Sequence, residues 1–90
     1  MATSKIEKPI MCWRDLTITT SAYGNVDISS SVPTGFRPIA GYSRNSGTAG
    51  YVVLPYRNSG SWLLHVQKNG GEAVASDTFG VTIAFMSNTI

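Results

Sequence analysis

Residues 51–68, YVVLPYRNSGSWLLHVQK, decide the fold. Two apolar and aromatic arms flank Asn58-Ser59-Gly60, residues that turn a chain without steric cost. The stretch therefore reads as a β-hairpin. In its second arm Trp62, Leu64 and Val66 share one face, and Leu63 and His65 fall on the other. The hairpin carries the best core candidates of the chain together with its most exposed aromatic and basic side chains.

Downstream, Asn69-Gly70-Gly71 is a tight-turn signal, and residues 72–76 add a short candidate strand. Residues 78–86, TFGVTIAFM, place Phe79, Val81, Ile83 and Phe85 on one face. No other stretch has so regular an apolar stripe, which predicts a strand in the interior of the sheet. Upstream, residues 46–50 read as a loop and residues 39–45 as a strand with Ala40, Tyr42 and Arg44 on one side. Pro33 and Pro38 each remove a backbone donor and restrict the residue before them. Residues 30–38 are therefore expected to form a crossover carrying Phe36 into the core, not a central strand or a helix. Val26 and Ile28 alternate with Asp27 and Ser29 in a short strand, after a turn at residues 21–25. In residues 11–20, MCWRDLTITT, Leu16 and Ile18 face one way and Thr17 and Thr19 the other, as in a half-buried strand.

The turn signals recur at about the 8–12-residue spacing of sandwiches and barrels, and no window carries a sustained helical period. The expected fold is all-β, a small antiparallel, jelly-roll-like β-sandwich of six or seven strands with no substantial helix. Residues 1–11 are expected to be an extended leader or the junction to an upstream shaft, and residues 12–90 a single domain. Ninety residues do not support two independent cores.

Composition narrows the function classes. Charged residues make up 13% of the chain, about half the share usual in soluble domains, so Ser, Thr, Asn and Gly supply the polar surface. Seven Lys and Arg are scattered and the net charge is +2, without the basic stripe that nucleic acid requires. The single cysteine, Cys12, excludes an intrachain disulfide and a thiolate zinc cluster. Residues 1–12 lack the apolar run of a signal peptide, and no segment has membrane-spanning length.

Catalytic chemistry finds little support. A nucleophilic triad must use His65, the only histidine, with Cys12 or a serine, and no nucleophile elbow surrounds any serine. The carboxylates Glu7, Asp15, Asp27, Glu72 and Asp77 form no evident pair for glycoside hydrolysis. One His and one Cys give no recognisable metal site, and no glycine-rich nucleotide motif is present. The expectation is a non-enzymatic protein without cofactor or metal. What remains is a group of aromatic and planar polar side chains near loops, in which Tyr42, Arg44, Asn45, Tyr56, Arg57 and Asn58 are the candidate ligand-binding residues. Aromatic planes cover the apolar faces of sugars, and Arg or Asn hydrogen-bonds their hydroxyls. Tyr51 and Trp62 belong to the same group, with Trp62 expected in the core.

Residues 13–86 resemble the distal β-sandwich domains of phage tail-fibre and baseplate receptor-binding proteins. The resemblance rests on TITTSAYGNVDISSSVPTGFRPIAGYSRNSG, on the hairpin ending in SWLLHVQKNGG and on the closing FGVTIAFM. It implies a homotrimer on a virion tail, binding host cell-surface saccharide without catalysis and contacting other phage tail proteins. It further implies synthesis in the host cytoplasm, while the scattered charge and the lack of a long apolar run give the expectation of neither nucleic-acid binding nor membrane insertion. The alternative is a purely structural virion or assembly domain that oligomerises without binding a saccharide.

Overall fold

A computed structural model describes residues 10–44 and 50–89. Six strands form one antiparallel sheet: β1 (Met11–Thr19), β2 (Asn25–Asp27), β3 (Phe36–Ser43), β4 (Tyr51–Asn58), β5 (Ser61–Lys68) and β6 (Thr78–Ser87). Their spatial order is β1-β6-β3-β4-β5-β2. A short 3₁₀ turn, Ser29–Ser31, follows β2, and no α-helix occurs among the described residues. The sheet curls around a single core, so both of its halves bury one face against the same cluster.

Alternation decides which residues enter that core. Phe79, Val81, Ile83 and Phe85 of β6 all point inward and are fully or nearly fully buried. Ile18 of β1, Val53 of β4 and Leu64 and Val66 of β5 join them, with Ile28 and Val74 arriving from outside the strands. β6 lies between β1 and β3 and is buried on both sides, as its apolar stripe predicts. Trp62 packs against the core while remaining partly exposed.

The hairpin turn is tighter than a three-residue loop. Asn58 pairs with Ser61, leaving Ser59 and Gly60 as the two turn residues, with φ of 52° and 82°. Two successive positive φ values match the right-handed twist of the flanking strands.

Two expectations are corrected. Residues 36–38 do not belong to a crossover: Phe36, Arg37 and Pro38 pair with Ser87, Met86 and Phe85 of β6, inside a strand with neighbours on both sides. The proline is tolerated because β4 meets β3 at a single pair, Gly41 opposite Val53, so β3 is an edge where Pro38 sits. A register shift between Pro38 and Ala40 then inserts Ile39 as an extra residue. Pro55 of β4 occupies the matching position on the other side of this seam, paired only with Leu64 of β5. Residues 72–76 form no seventh strand. They hold one bridge, Ala73 to Gln67, and the Val74 amide donates to the Val66 carbonyl at 3.0 Å.

The seam also depends on a missing side chain. A Cβ on Gly41 would stand 2.6 Å from Ile83 Cδ1 and 3.2 Å from Val53 Cγ1. Ile83 occupies the space that any other residue at position 41 would take. Of the expected leader, Ile10 and Met11 already pair with or bond to β6, and residues 1–9 lie outside the described residues.

Candidate functional site

Directly opposed residues in an antiparallel pair share a face, so the register places every side chain. On the face away from the core, Trp13, Ala84 and Ala40 stand in one row across β1, β6 and β3. Asp15, Thr82 and Tyr42 form the next row, and Thr17 and Gly80 begin a third that Arg44 completes through its amide bond to the Gly80 carbonyl. Ala84 and Thr82 are buried by their taller neighbours, while Trp13 and Tyr42 are 59% and 54% exposed. The result is a floor of small side chains closed to solvent, with an exposed aromatic ring at either side.

The polar groups beside that floor are held in place. Thr82 Oγ1 donates to Asp15 Oδ1 at 2.8 Å. Arg44 reaches across β6, donating from Nε to the Val81 carbonyl at 3.2 Å and from Nη2 to the Leu16 carbonyl at 3.1 Å. Its Nε lies 3.8 Å from Asp15 Oδ1. Much of the donor capacity of Arg44 is therefore committed to backbone carbonyls. The Asp15 carboxylate stays largely open to solvent, with an oxygen free to accept from a ligand hydroxyl.

The six expected site residues do not form one constellation. Tyr42 and Arg44 are neighbours on the outer face; Asn45 lies outside the described residues. Tyr56 is on the same face, opposite Leu63, but four residues along β4 from Val52, the residue level with Tyr42. That separation is roughly 13 Å along the strand. Arg57 points to the other face, its guanidinium 5.1 Å from the Trp62 ring centroid in a cation–π contact. Asn58 closes the hairpin turn, and its Oδ1 accepts from Ser59 Oγ at 3.4 Å. Trp13 was not among the expected site residues. Its signal was present in MCWRDLTIT, where alternation sets Trp13 with Asp15 and Thr17, away from Leu16 and Ile18.

His65 sits on the outer face between Leu54 and Asn25, with Nδ1 2.9 Å from Asn25 Oδ1. Cys12 pairs with Phe85 on the inner face, so the register separates the two groups that a cysteine–histidine pair would need together. No group of three or more His, Cys, Asp or Glu side chains converges among the described residues.

Two titratable groups are displaced by fixed contacts. The Ser29 backbone N–H donates to Asp27 Oδ1 at 2.8 Å and, with the Ser29 hydroxyl, holds the Asp27 carboxyl below its ordinary range. Tyr51 donates its hydroxyl to Asp77 Oδ2 at 3.0 Å, a bond only the neutral phenol can make. That bond, helped by burial and by the carboxylate charge, pushes the Tyr51 phenol up. Both contacts tie turns to strands, away from the aromatic floor.

Set against known proteins, the chain matches no family model, no curated protein and no solved structure.

Proposed function

We propose that this protein is a non-catalytic receptor-binding domain of a phage or prophage tail, which recognises host cell-surface carbohydrate on its outer sheet face. The observation that carries the reading is the presence of two exposed aromatic rings, Trp13 and Tyr42, on one sheet face at either side of the buried Ala84 and Thr82. A pyranose ring has an apolar face that an indole or phenol covers, and an equatorial rim of hydroxyls that a carboxylate accepts from. Asp15 supplies that carboxylate, held toward the floor by Thr82. Tyr56, further along the same face, is in reach of an oligosaccharide but not of a single sugar unit. The scarcity of charge suits a neutral ligand, and the resemblance to tail-fibre tips supplies the biological setting.

The experiment is a glycan array with the purified protein, followed by calorimetry on any hit with Trp13→Ala, Tyr42→Ala and Tyr56→Ala. Retained folding with affinity at least tenfold weaker in the first two variants supports the site. Unchanged affinity in both removes it.

A second reading, a structural assembly domain, draws on a different observation. Ile10, Met11, Ile39 and Leu54 are each more than a third exposed, apolar side chains that neighbouring chains would cover. That reading expects association between chains and no response on the array.

A further inference from the structure

Among the described residues β1 has a strand neighbour on one side only, and its other edge carries an inference that holds whether the domain binds sugars or only assembles. Ser87 donates its amide to the Ile10 carbonyl at 2.8 Å, and Thr20 donates its amide to the Asp77 carbonyl at 2.9 Å. These two bonds bracket β1, and antiparallel ladders alternate. Cys12, Arg14, Leu16 and Ile18 therefore bond to β6. Met11, Trp13, Asp15, Thr17 and Thr19 direct their N–H and C=O groups away from the sheet.

Sheet edges are ordinarily blunted by charged side chains, proline, a bulge or short length. The other edge of this sheet, β2, is only three residues long. β1 is nine residues long, has no proline, keeps an unbroken register with β6, and carries Arg14 and Asp15 as its two charged residues. Its side chains at the edge, Trp13, Asp15, Thr17 and Thr19, are exposed.

We propose that β1 pairs antiparallel with β1 of a second copy of this chain, extending the sheet across a twofold axis. The edge groups belong to odd-numbered residues, so odd must face odd, and the axis must pass through a single residue. Centred on Arg14, the register sets Arg14 against Arg14; centred on Asp15, it sets Asp15 against Asp15. Like charges directly opposed are unfavourable. Centred on Leu16, it overlaps Trp13 to Thr19 and sets Trp13 against Thr19, Arg14 against Ile18 and Asp15 against Thr17. Centring on Trp13 or Thr17 shortens the overlap to Met11–Asp15 or Asp15–Thr19. The Leu16 register is thus the longest of these without opposed like charges. β2 is too short to serve as the partner, which favours a closed pair over an open chain of copies.

In this register the two Leu16 residues form a non-hydrogen-bonded pair with Cα atoms about 4.5 Å apart, inside the roughly 4.4–6.8 Å range of a disulfide. In a Cys12→Ser background, Arg14→Cys, Asp15→Cys and Leu16→Cys are each oxidised and run on a non-reducing gel. The covalent dimer is expected to dominate for Leu16→Cys. A dimer that dominates at position 14 or 15 instead overturns the Leu16 register. Because Leu16 is half-buried, a second variant avoids the core. Thr17→Pro removes an outward N–H and no bond to β6. It is expected to convert a two-chain mass in light scattering to a one-chain mass, with unchanged circular dichroism. A wild-type mass of one chain, or of three chains as the tail-fibre resemblance implies, overturns the proposal. So does a Thr17→Pro protein that folds and remains a dimer.

Discussion

The guanidinium of Arg44 rests against the backbone of Gly80: a Cβ at position 80 would stand 2.6 Å from Arg44 Nη2 and 2.9 Å from Cζ. The glycine is a saddle over which Arg44 crosses β6 to reach the Leu16 carbonyl. Gly80→Ala should lift the arginine and cost about 1 kcal/mol, close to the effect of Arg44→Ala. In an Arg44→Ala background the same alanine should be neutral or stabilising, because strands disfavour glycine. Urea midpoints of the four proteins close the cycle. Additive effects would mean that the two residues do not share one interaction.

Gly41 poses the inward version of the same problem. Its Cβ would meet Ile83 Cδ1, buried in the core and unable to swing into solvent. Gly41→Ala should therefore destabilise by about 1–3 kcal/mol, the usual cost of overpacking. Ile83→Val deletes the clashing methyl and should recover part of that loss in the double variant, although alone it costs about 1 kcal/mol. Thermal melts of the three variants test the contact.

Ser59 sits at φ 52° in the two-residue turn of the central hairpin, a conformation that asparagine adopts more readily than serine. Ser59→Asn should stabilise the protein by about 0.5 kcal/mol. A lower melting temperature would show that the Ser59 hydroxyl, which donates to Asn58 Oδ1, contributes more than the backbone preference.

Tyr51 gives the fold an alkaline limb. Its phenol ionises above the ordinary tyrosine value in the folded protein, since Asp77 holds the neutral form. The stabilising contribution is complete below the ordinary value and disappears as pH rises through the folded one. Tyr51→Phe should be less stable than the parent at neutral pH. The gap should narrow as urea midpoints are followed from about pH 8 to about pH 11. The variant keeps the ring that packs on Phe79, 5.1 Å away between centroids, so a constant gap would mean that ionisation of the Tyr51–Asp77 bond does not set the difference.

The strands were legible in the sequence wherever side chains alternate. The stripe from Phe79 to Phe85 and the outward set of Ala40, Tyr42 and Arg44 stand where their period put them. Pro38 misled because a proline reports a lost donor without saying whether any partner was present to miss it. At the β3–β4 seam there was none. The candidate site was less legible. Tyr42 and Tyr56 are close in sequence type and share a face, but only the register reveals the distance between them. Arg57 was misplaced for a simple reason: in a strand the residue after an outward tyrosine turns inward, where Trp62 receives it. Trp13 does not read as part of a surface from its own stretch, because the strand that completes that surface lies about 70 residues downstream, at Ala84.

β1 and β6 run antiparallel with Met11 opposite Met86 and Thr19 opposite Thr78. A tether pulling on the chain before Met11 and another after Ser87 would therefore grip the same end of one strand pair. Tension applied that way falls on the ladder one rung at a time, and β1 would peel from β6 as a zipper opens. A load carried instead across the faces, from the outer surface into the hairpin of β4 and β5, would strain many rungs together. By this geometry the domain would yield more readily to a pull on those two tethers than to a load spread over its flat side.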